Sequence, residues 1–196
     1  MNKSEQQRQV IAQQAAKLIA ENGISDFHTA KLKAAEKLNL GSNAALPNNQ
    51  EIEVALASYH ATFSPDHSEL LRQKRQAAIK AMQLLHQFKP RLTGPVLTGT
   101  ASETSPIEVQ LTADTLEDVG RFLLQKDIPN HLYSEELRCG KNRREEYFGY
   151  RFQAGNDQIK LTVITRDNHQ QRPFDPATGK PAERANIETV ETLLNL

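Results

Sequence analysis

The first third of the chain carries apolar residues at helical spacing and contains no strand-like run. Ile11, Ala15 and Ile19 recur four residues apart, which places them on one face of a helix. Three helices are predicted in this part, at 4–22, 28–38 and 49–59. Residues 1–62 are therefore expected to form a helical N-terminal segment.

Capping residues indicate where the later helices begin. Asn48, with Glu51 three residues on, has the spacing of a capping box, in which each side chain bonds the other residue's backbone amide. Ser64 followed by Pro65 is typical of a helix start, because proline suits the first helical position. A long basic helix is predicted to begin there and to end at Pro90.

After the long helix the pattern changes to alternating apolar and polar positions. Residues 107–112 alternate strictly, as in a half-buried strand, and Asp114 with Glu117 is expected to cap the helix that follows. The predicted strands are 95–98, 107–112, 131–138, 147–152 and 159–165, and the predicted helices are 114–127 and 186–194. This order favours an α+β fold, with a helical N-terminal segment (1–62) before a domain (63–196) that has a small mixed sheet with helices packed on it.

The composition excludes several kinds of site and partner but does not indicate a particular chemistry. The 24 Lys and Arg residues balance the 24 Asp and Glu residues, so the overall charge attracts neither nucleic acid nor an anionic membrane. Cys139 is the only cysteine, which excludes an internal disulfide and a zinc site with several thiolates, and the six histidines show no ligand spacing. The cysteine and histidine pattern predicts no bound metal. A polar N-terminus and the lack of a long apolar run predict a cytoplasmic protein with no membrane partner.

The most informative stretch joins a helix end, a short strand, a glycine turn and a strand that carries an acid. It reads Phe-Lys-Pro-Arg-Leu-Thr-Gly-Pro-Val-Leu-Thr-Gly-Thr-Ala at 88–101 and Ser-Pro-Ile-Glu-Val-Gln-Leu at 105–111. This order resembles the core of the polymerase-beta-like nucleotidyltransferase superfamily over roughly residues 68 to 165. The resemblance implies a turn whose amides approach phosphates, and an Asp-x-Asp strand that holds two divalent cations together with a third carboxylate on a later strand.

The resemblance puts the family's site positions on particular residues of this chain. Gly99 takes the first turn position and Thr100 the second, while Pro106, Glu108 and Lys160 take the positions of the three acids. One carboxylate of three does not hold two metals. The resemblance therefore implies a degenerate site that binds a nucleotide or RNA through Gly99, Thr100, Glu108 and Lys160, without nucleotidyl transfer and without a cofactor. Because the acid-bearing strands are neighbours in the resembled fold, Glu108 and Lys160 are predicted to form an ion pair.

An active nucleotidyltransferase with a non-standard metal site is one alternative. In that interpretation Glu108 acts with Glu103 or Asp157 to hold magnesium. Nucleotide binding that depends on magnesium would favour the active enzyme, whereas binding without turnover would favour the degenerate site.

A DNA-binding regulator is a second alternative. Residues 15–23 and 34–38 resemble the first helices of tetracycline-repressor-type regulators. A helix-turn-helix reads the DNA groove with basic and amide side chains, but the predicted third helix carries Glu51 and Glu53 and no Lys or Arg. A small helical bundle explains the same pattern without DNA.

The turn near residue 140 is locally basic. Lys141, Arg143 and Arg144 are followed closely by Tyr147 and Phe148, a combination that suits single-stranded RNA or a nucleotide, because cations neutralise phosphates and aromatic rings stack on bases. The alternative is a solvated turn whose aromatic residues fill the core of the sheet.

Overall fold

The computed structural model describes residues 3–22, 24, 27–41, 44–63, 65–139, 143–165, 173–174 and 181–194. The chain divides into two compact units, the first formed by residues 1–68 and the second beginning at Glu69. The elements of the described chain are α1 (Lys3–Asn22), α2 (Phe27–Lys37), α3 (Asn49–Phe63), α4 (Pro65–Leu84), a 3₁₀ turn (His86–Phe88), β1 (Arg91–Thr93), α5 (Gly94–Thr98), β2 (Ile107–Thr112), α6 (Leu116–Gln125), β3 (His131–Arg138), β4 (Arg144–Ala154), β5 (Asp157–Ile164) and α7 (Ile187–Leu194). The predicted α+β class is confirmed.

The first unit is a small helical bundle in which α1 packs against α2 and α3. Its core is built around Ile11, Ala34 and Ile52, with several further alanines whose small side chains let the helices approach closely. The predicted cap of α3 is confirmed, because Asn48 Oδ1 accepts from the Glu51 amide at 2.8 Å and Glu51 Oε2 accepts from the Asn48 amide at 2.7 Å.

The long basic helix is shorter than predicted. It begins at Pro65, but its predicted cap, Ser64, lies outside the described residues. The helix ends at Leu84 rather than at Pro90, because the chain turns through a 3₁₀ segment that brings Phe88 into the core, and Lys89 then takes a left-handed φ of 49°.

The second unit is a five-stranded sheet in the order β1-β2-β5-β4-β3. β2 and β5 are parallel, and the other neighbouring strands are antiparallel. Helices α4 to α7 all contribute buried side chains to one core, which they share with alternate residues of β2 and β5. The core includes Met82, Leu85, Val96, Val109, Val119, Leu123, Leu161 and Val190.

The predicted strand at 95–98 is wrong. That stretch forms the short helix α5, and the edge strand β1 lies just before it at Arg91–Thr93. Pro95 explains the difference, since proline suits the first turn of a helix and has no amide hydrogen for a sheet. The predicted strands 107–112 and 159–165 do lie in the sheet, where β2 and β5 are adjacent and parallel.

The remaining predicted elements of this unit are present with small shifts. The hairpin of β4 and β5 turns at Gly155, where φ is +63°. The cap of α6 is shifted by one residue from the prediction of Asp114 with Glu117. Thr115 and Asp118 form the capping box instead, because Thr115 has the extended backbone of an N-cap residue.

Candidate functional site on the polar face of the sheet

The central strands separate two chemically different faces. Because side chains alternate along a strand, Val109 and Leu161 point into the core, while Glu108, Lys160 and their neighbours two residues on point to the opposite face. We call this opposite surface the polar face. Its residues are Thr93, Glu108, Gln110, Tyr133, Glu135, Gly149, Arg151, Lys160 and Thr162.

Lys160 lies between two carboxylates on the polar face. Glu108 and Lys160 are register partners on β2 and β5, and Lys160 Nζ is 4.0 Å from Glu108 Oε1. The same ammonium group donates to Glu135 Oε2 at 2.8 Å, reaching across β4 to β3. The side chain of Lys160 is only 15% exposed. The ion pair of Glu108 and Lys160 predicted from the sequence is confirmed, and Glu135 is a second partner that the sequence did not indicate.

The glycine turn beside Glu108 is not the one predicted. Gly94 directly follows β1 and has a φ of +68°, and a Cβ added there would lie 2.6 Å from Glu108 Oε2. Gly99 instead ends α5, and its amide and that of Thr100 both donate to the carbonyl of Pro95 at 3.0 Å. The glycine that follows the short strand and lies against Glu108 is therefore Gly94, whose positive φ suits glycine, and a role of Gly99 and Thr100 in nucleotide binding stays a prediction.

The acids proposed for a non-standard metal site do not gather around Glu108. Asp157 is on the core side of β5, where its Oδ1 accepts from Lys74 Nζ at 2.7 Å. Glu103 is exposed in the turn before β2. Among the residues that the structure describes, no group of three or more His, Cys, Asp or Glu side chains is arranged to hold a metal ion.

Tyr133 is a member of the site that sequence reasoning missed. Its ring lies against Gly149, and its hydroxyl is 3.0 Å from Thr162 Oγ1. The Arg151 guanidinium stacks on the ring at 4.2 Å from the centroid, and Lys160 Nζ is 5.6 Å from it. Burial raises the pKa of the Tyr133 hydroxyl well above its ordinary value. Tyr133 therefore stays neutral at physiological pH and presents an aromatic surface to two cations.

Two polar atoms near these residues have no hydrogen-bond partner in the part of the chain that the structure describes. Gln110 is 7% exposed, and its Oε1 is buried without a donor. Arg151 Nε is buried without an acceptor. The sequence did not indicate Gln110, because an amide on an alternating strand looks like an ordinary surface position until the strands are paired. Arg151 counted in the sequence only as one of the cations near the basic turn.

The basic turn contains two arginines that already have acidic partners. Arg143 is 2.6 Å from Glu145, and Arg144 is 3.2 Å from Glu136. Lys141 lies outside the described residues. The aromatic residues nearby have mixed roles, since Tyr147 is fully buried and Phe148 is 42% exposed. Their role in nucleic-acid binding stays a prediction.

The first unit contains a groove of ≈ 1090 Å³ between α1 and α3. Arg8 and Glu51 form an ion pair of 3.1 Å at its border, so the acidic residue noted on α3 is balanced by a cation from α1. No described helix in either unit combines the length and apolar character needed to cross a membrane.

Comparison with models of known protein families finds no match, and comparison with curated proteins finds none either.

Proposed function

We propose that the second unit is a nucleotide-binding module of the nucleotidyltransferase type that has lost nucleotidyl transfer. The observation that supports this most directly is the position of Lys160, whose ammonium group lies between Glu108 and Glu135. In the resembled fold the strands of Glu108 and Lys160 would provide two of the metal-binding carboxylates.

An ammonium group at this place changes the chemistry of the site. Transfer of a nucleotidyl group by two metals needs carboxylates that converge and are free to bind cations. Here a fixed positive charge occupies the space between the acids and repels a divalent cation by Coulomb interaction. We expect a nucleotide to bind without magnesium and to leave unchanged.

Binding of a mononucleotide is favoured over binding of RNA. The arginines of the basic turn are paired with Glu136 and Glu145, so their charge is partly cancelled. On the polar face Lys160 is paired as well, but Arg151 stacks on Tyr133 and has no acidic partner among the described residues. A module of this kind serves regulation rather than catalysis. A cytoplasmic location is part of the proposal, because a single cysteine suits a reducing compartment.

Titration calorimetry with each of the four nucleoside monophosphates and triphosphates, in a buffer with EDTA, tests the proposal. We expect at least one nucleotide to bind in EDTA and to be recovered unchanged after incubation with magnesium. Absence of binding by every nucleotide would refute the proposal, and so would release of pyrophosphate. Tight binding of a single-stranded RNA with none of the mononucleotides would replace it with an RNA-binding function.

A further inference from the structure

Arg151 is a charged group on the polar face whose charge has no acidic partner in the described chain. Its guanidinium stacks on Tyr133 at 4.2 Å, and its Nε is buried without an acceptor. The register partner of Arg151 on β5 is Lys160, and its partner on β3 is His131. Lys160 is paired with Glu108 and Glu135, whereas the one contact that the described residues make with the Arg151 charge is the ring of Tyr133. The charges of Arg151, Lys160, Glu108 and Glu135 sum to zero, so the N–H donors of the Arg151 guanidinium that the described residues leave unbonded, rather than a net positive charge, are what the site offers to an anion.

Stacking on Tyr133 also fixes the orientation of the guanidinium. A planar fork of N–H donors held against a ring keeps its geometry, so less entropy is lost when it binds an oxyanion with two parallel hydrogen bonds. Phosphate oxygens match this fork. An arginine on a flexible surface loop would lack this advantage.

Gln110 provides the second point of attachment. It lies on β2, two strands away from Arg151, in the row of residues that contains Thr162 and Gly149. Its buried Oε1 lacks a donor, and an unsatisfied buried acceptor costs about 1–3 kcal/mol. A ligand that brings an O–H or N–H group to this atom removes that cost.

We propose that the polar face binds a nucleoside monophosphate, with the phosphate on Arg151 and a ribose hydroxyl or base N–H group on Gln110. Strands two apart lie roughly 10 Å from each other and the two rows are about 7 Å apart along the strands, so the two backbone positions are about 12 Å apart, a separation that suits such a molecule. An inorganic phosphate is too small to contact both residues. The inference rests on the proposed function and adds to it the ligand class and the two residues that recognise its ends.

Calorimetry in phosphate-free buffer tests the assignment, with AMP, GMP, CMP, UMP, adenosine and inorganic phosphate as the probes. For the monophosphate that binds, we expect Arg151→Met to weaken affinity by about 10- to 100-fold, because a charged hydrogen-bonded contact is lost. Arg151→Lys keeps the charge but not the fork, and its affinity is expected to be intermediate. Arg121→Met removes an exposed arginine on α6 and serves as the matched control, with unchanged affinity.

The variant Gln110→Leu tests the second contact without impairing folding. It removes the unpaired acceptor, so thermal stability is expected to hold or to rise, while affinity for the monophosphate falls about tenfold. Inorganic phosphate is expected to bind weakly in the wild type, to be insensitive to Gln110→Leu and to be lost in Arg151→Met.

The other outcomes overturn one claim or both. Monophosphate binding that is insensitive to both variants overturns the assignment of Arg151 and Gln110, while nucleotide binding itself stands. Phosphate binding at Arg151 with no nucleotide binding overturns the assigned ligand and the proposed function together. If neither phosphate nor nucleotide binds, both proposals are wrong.

Discussion

The ring of Tyr133 lies against Gly149 on the neighbouring strand, so closely that a Cβ at Gly149 would stand 3.0 Å from the ring Cε1 atom. The missing side chain lets Tyr133 cross β4 and bring its hydroxyl to Thr162 on β5. One glycine therefore makes room for the aromatic group on which Arg151 stacks.

Gly149→Ala is expected to lower the free energy of unfolding by about 1–3 kcal/mol, the usual cost of an overpacked site. The added methyl group would also collide with the carbonyl of Leu161. Urea denaturation followed by circular dichroism measures the loss. Gly41→Ala is the control, since open space surrounds Gly41. Equal stability of the two variants would mean that neither the Leu161 carbonyl nor the Tyr133 ring lies as close to Gly149 as the structure shows.

Removal of the ammonium group from the polar face should be costly. Lys160→Met leaves Glu135 without its 2.8 Å donor. We expect the free energy of unfolding to fall by about 1–3 kcal/mol, as for hydrogen bonds to charged groups. Adding Glu135→Gln should recover part of the loss, because one carboxylate is then neutral. Lys80→Met, at an exposed position of α4, is the control and should change stability by less than about 0.5 kcal/mol. A Lys160→Met variant as stable as this control would contradict the pairing.

The pair of Lys74 and Asp157 ties α4 to the sheet. The Lys74 ammonium group is 3% exposed and donates to Asp157 at 2.7 Å and to the Ser105 carbonyl at 2.9 Å. Asp157→Asn keeps the shape of the side chain but leaves the buried charge of Lys74 uncompensated. We therefore expect the free energy of unfolding to fall by about 2–4 kcal/mol. Replacing both partners, as Lys74→Met with Asp157→Leu, should bring stability back towards the wild type. A double variant no better than Asp157→Asn would show that the charge is not the source of the loss.

The stability of the first unit should fall in mild acid. The rings of His60 and His67 stack at 3.8 Å, and burial, together with the neighbouring His67, lowers the pKa of His60 below its ordinary value of 6.5. The unfolded chain then binds the proton more readily than the folded one. Stability is therefore greatest above pH 6.5 and decreases as the pH falls through the lowered pKa.

His60→Phe checks this dependence. The variant keeps an aromatic ring in the stack and removes the unpartnered Nδ1 atom. Denaturation midpoints measured from pH 7.5 to 5 should fall less steeply in the variant than in the wild type. Parallel curves would show that other groups set the pH dependence.

The sequence predicted what depends on local periodicity. Alternation in 107–112 and 159–165 predicted two strands, and a period of two fixes which face each side chain occupies. The pairing of Glu108 with Lys160 came instead from the resemblance, in which the acid-bearing strands are neighbours. The signal failed at Pro95, where the apolar run Val-Leu was interpreted as a strand although the proline suits a helix start. The short strand therefore ends before Gly94, five residues ahead of the predicted turn at Gly99.

Other members of the site depend on strand pairing that no local pattern reveals. Tyr133 meets Gly149 and Thr162 only after β3, β4 and β5 are in register. Lys74 looked like one of several solvated cations on a basic helix, because charge spacing along a helix does not tell which lysine finds a buried carboxylate.

The central claim, that Lys160 occupies the place of a metal ion, is tested most directly by the effect of magnesium on ATP affinity. Calorimetric titrations of ATP with magnesium and with EDTA are compared for the wild type and for Lys160→Asp combined with Pro106→Asp, after circular dichroism shows that both are folded. We expect magnesium to change the wild-type affinity less than about twofold and to tighten binding by the double variant at least about tenfold. A wild-type affinity that rises tenfold with magnesium, or a folded double variant that gains nothing from it, would show that Lys160 does not take the place of a metal ion.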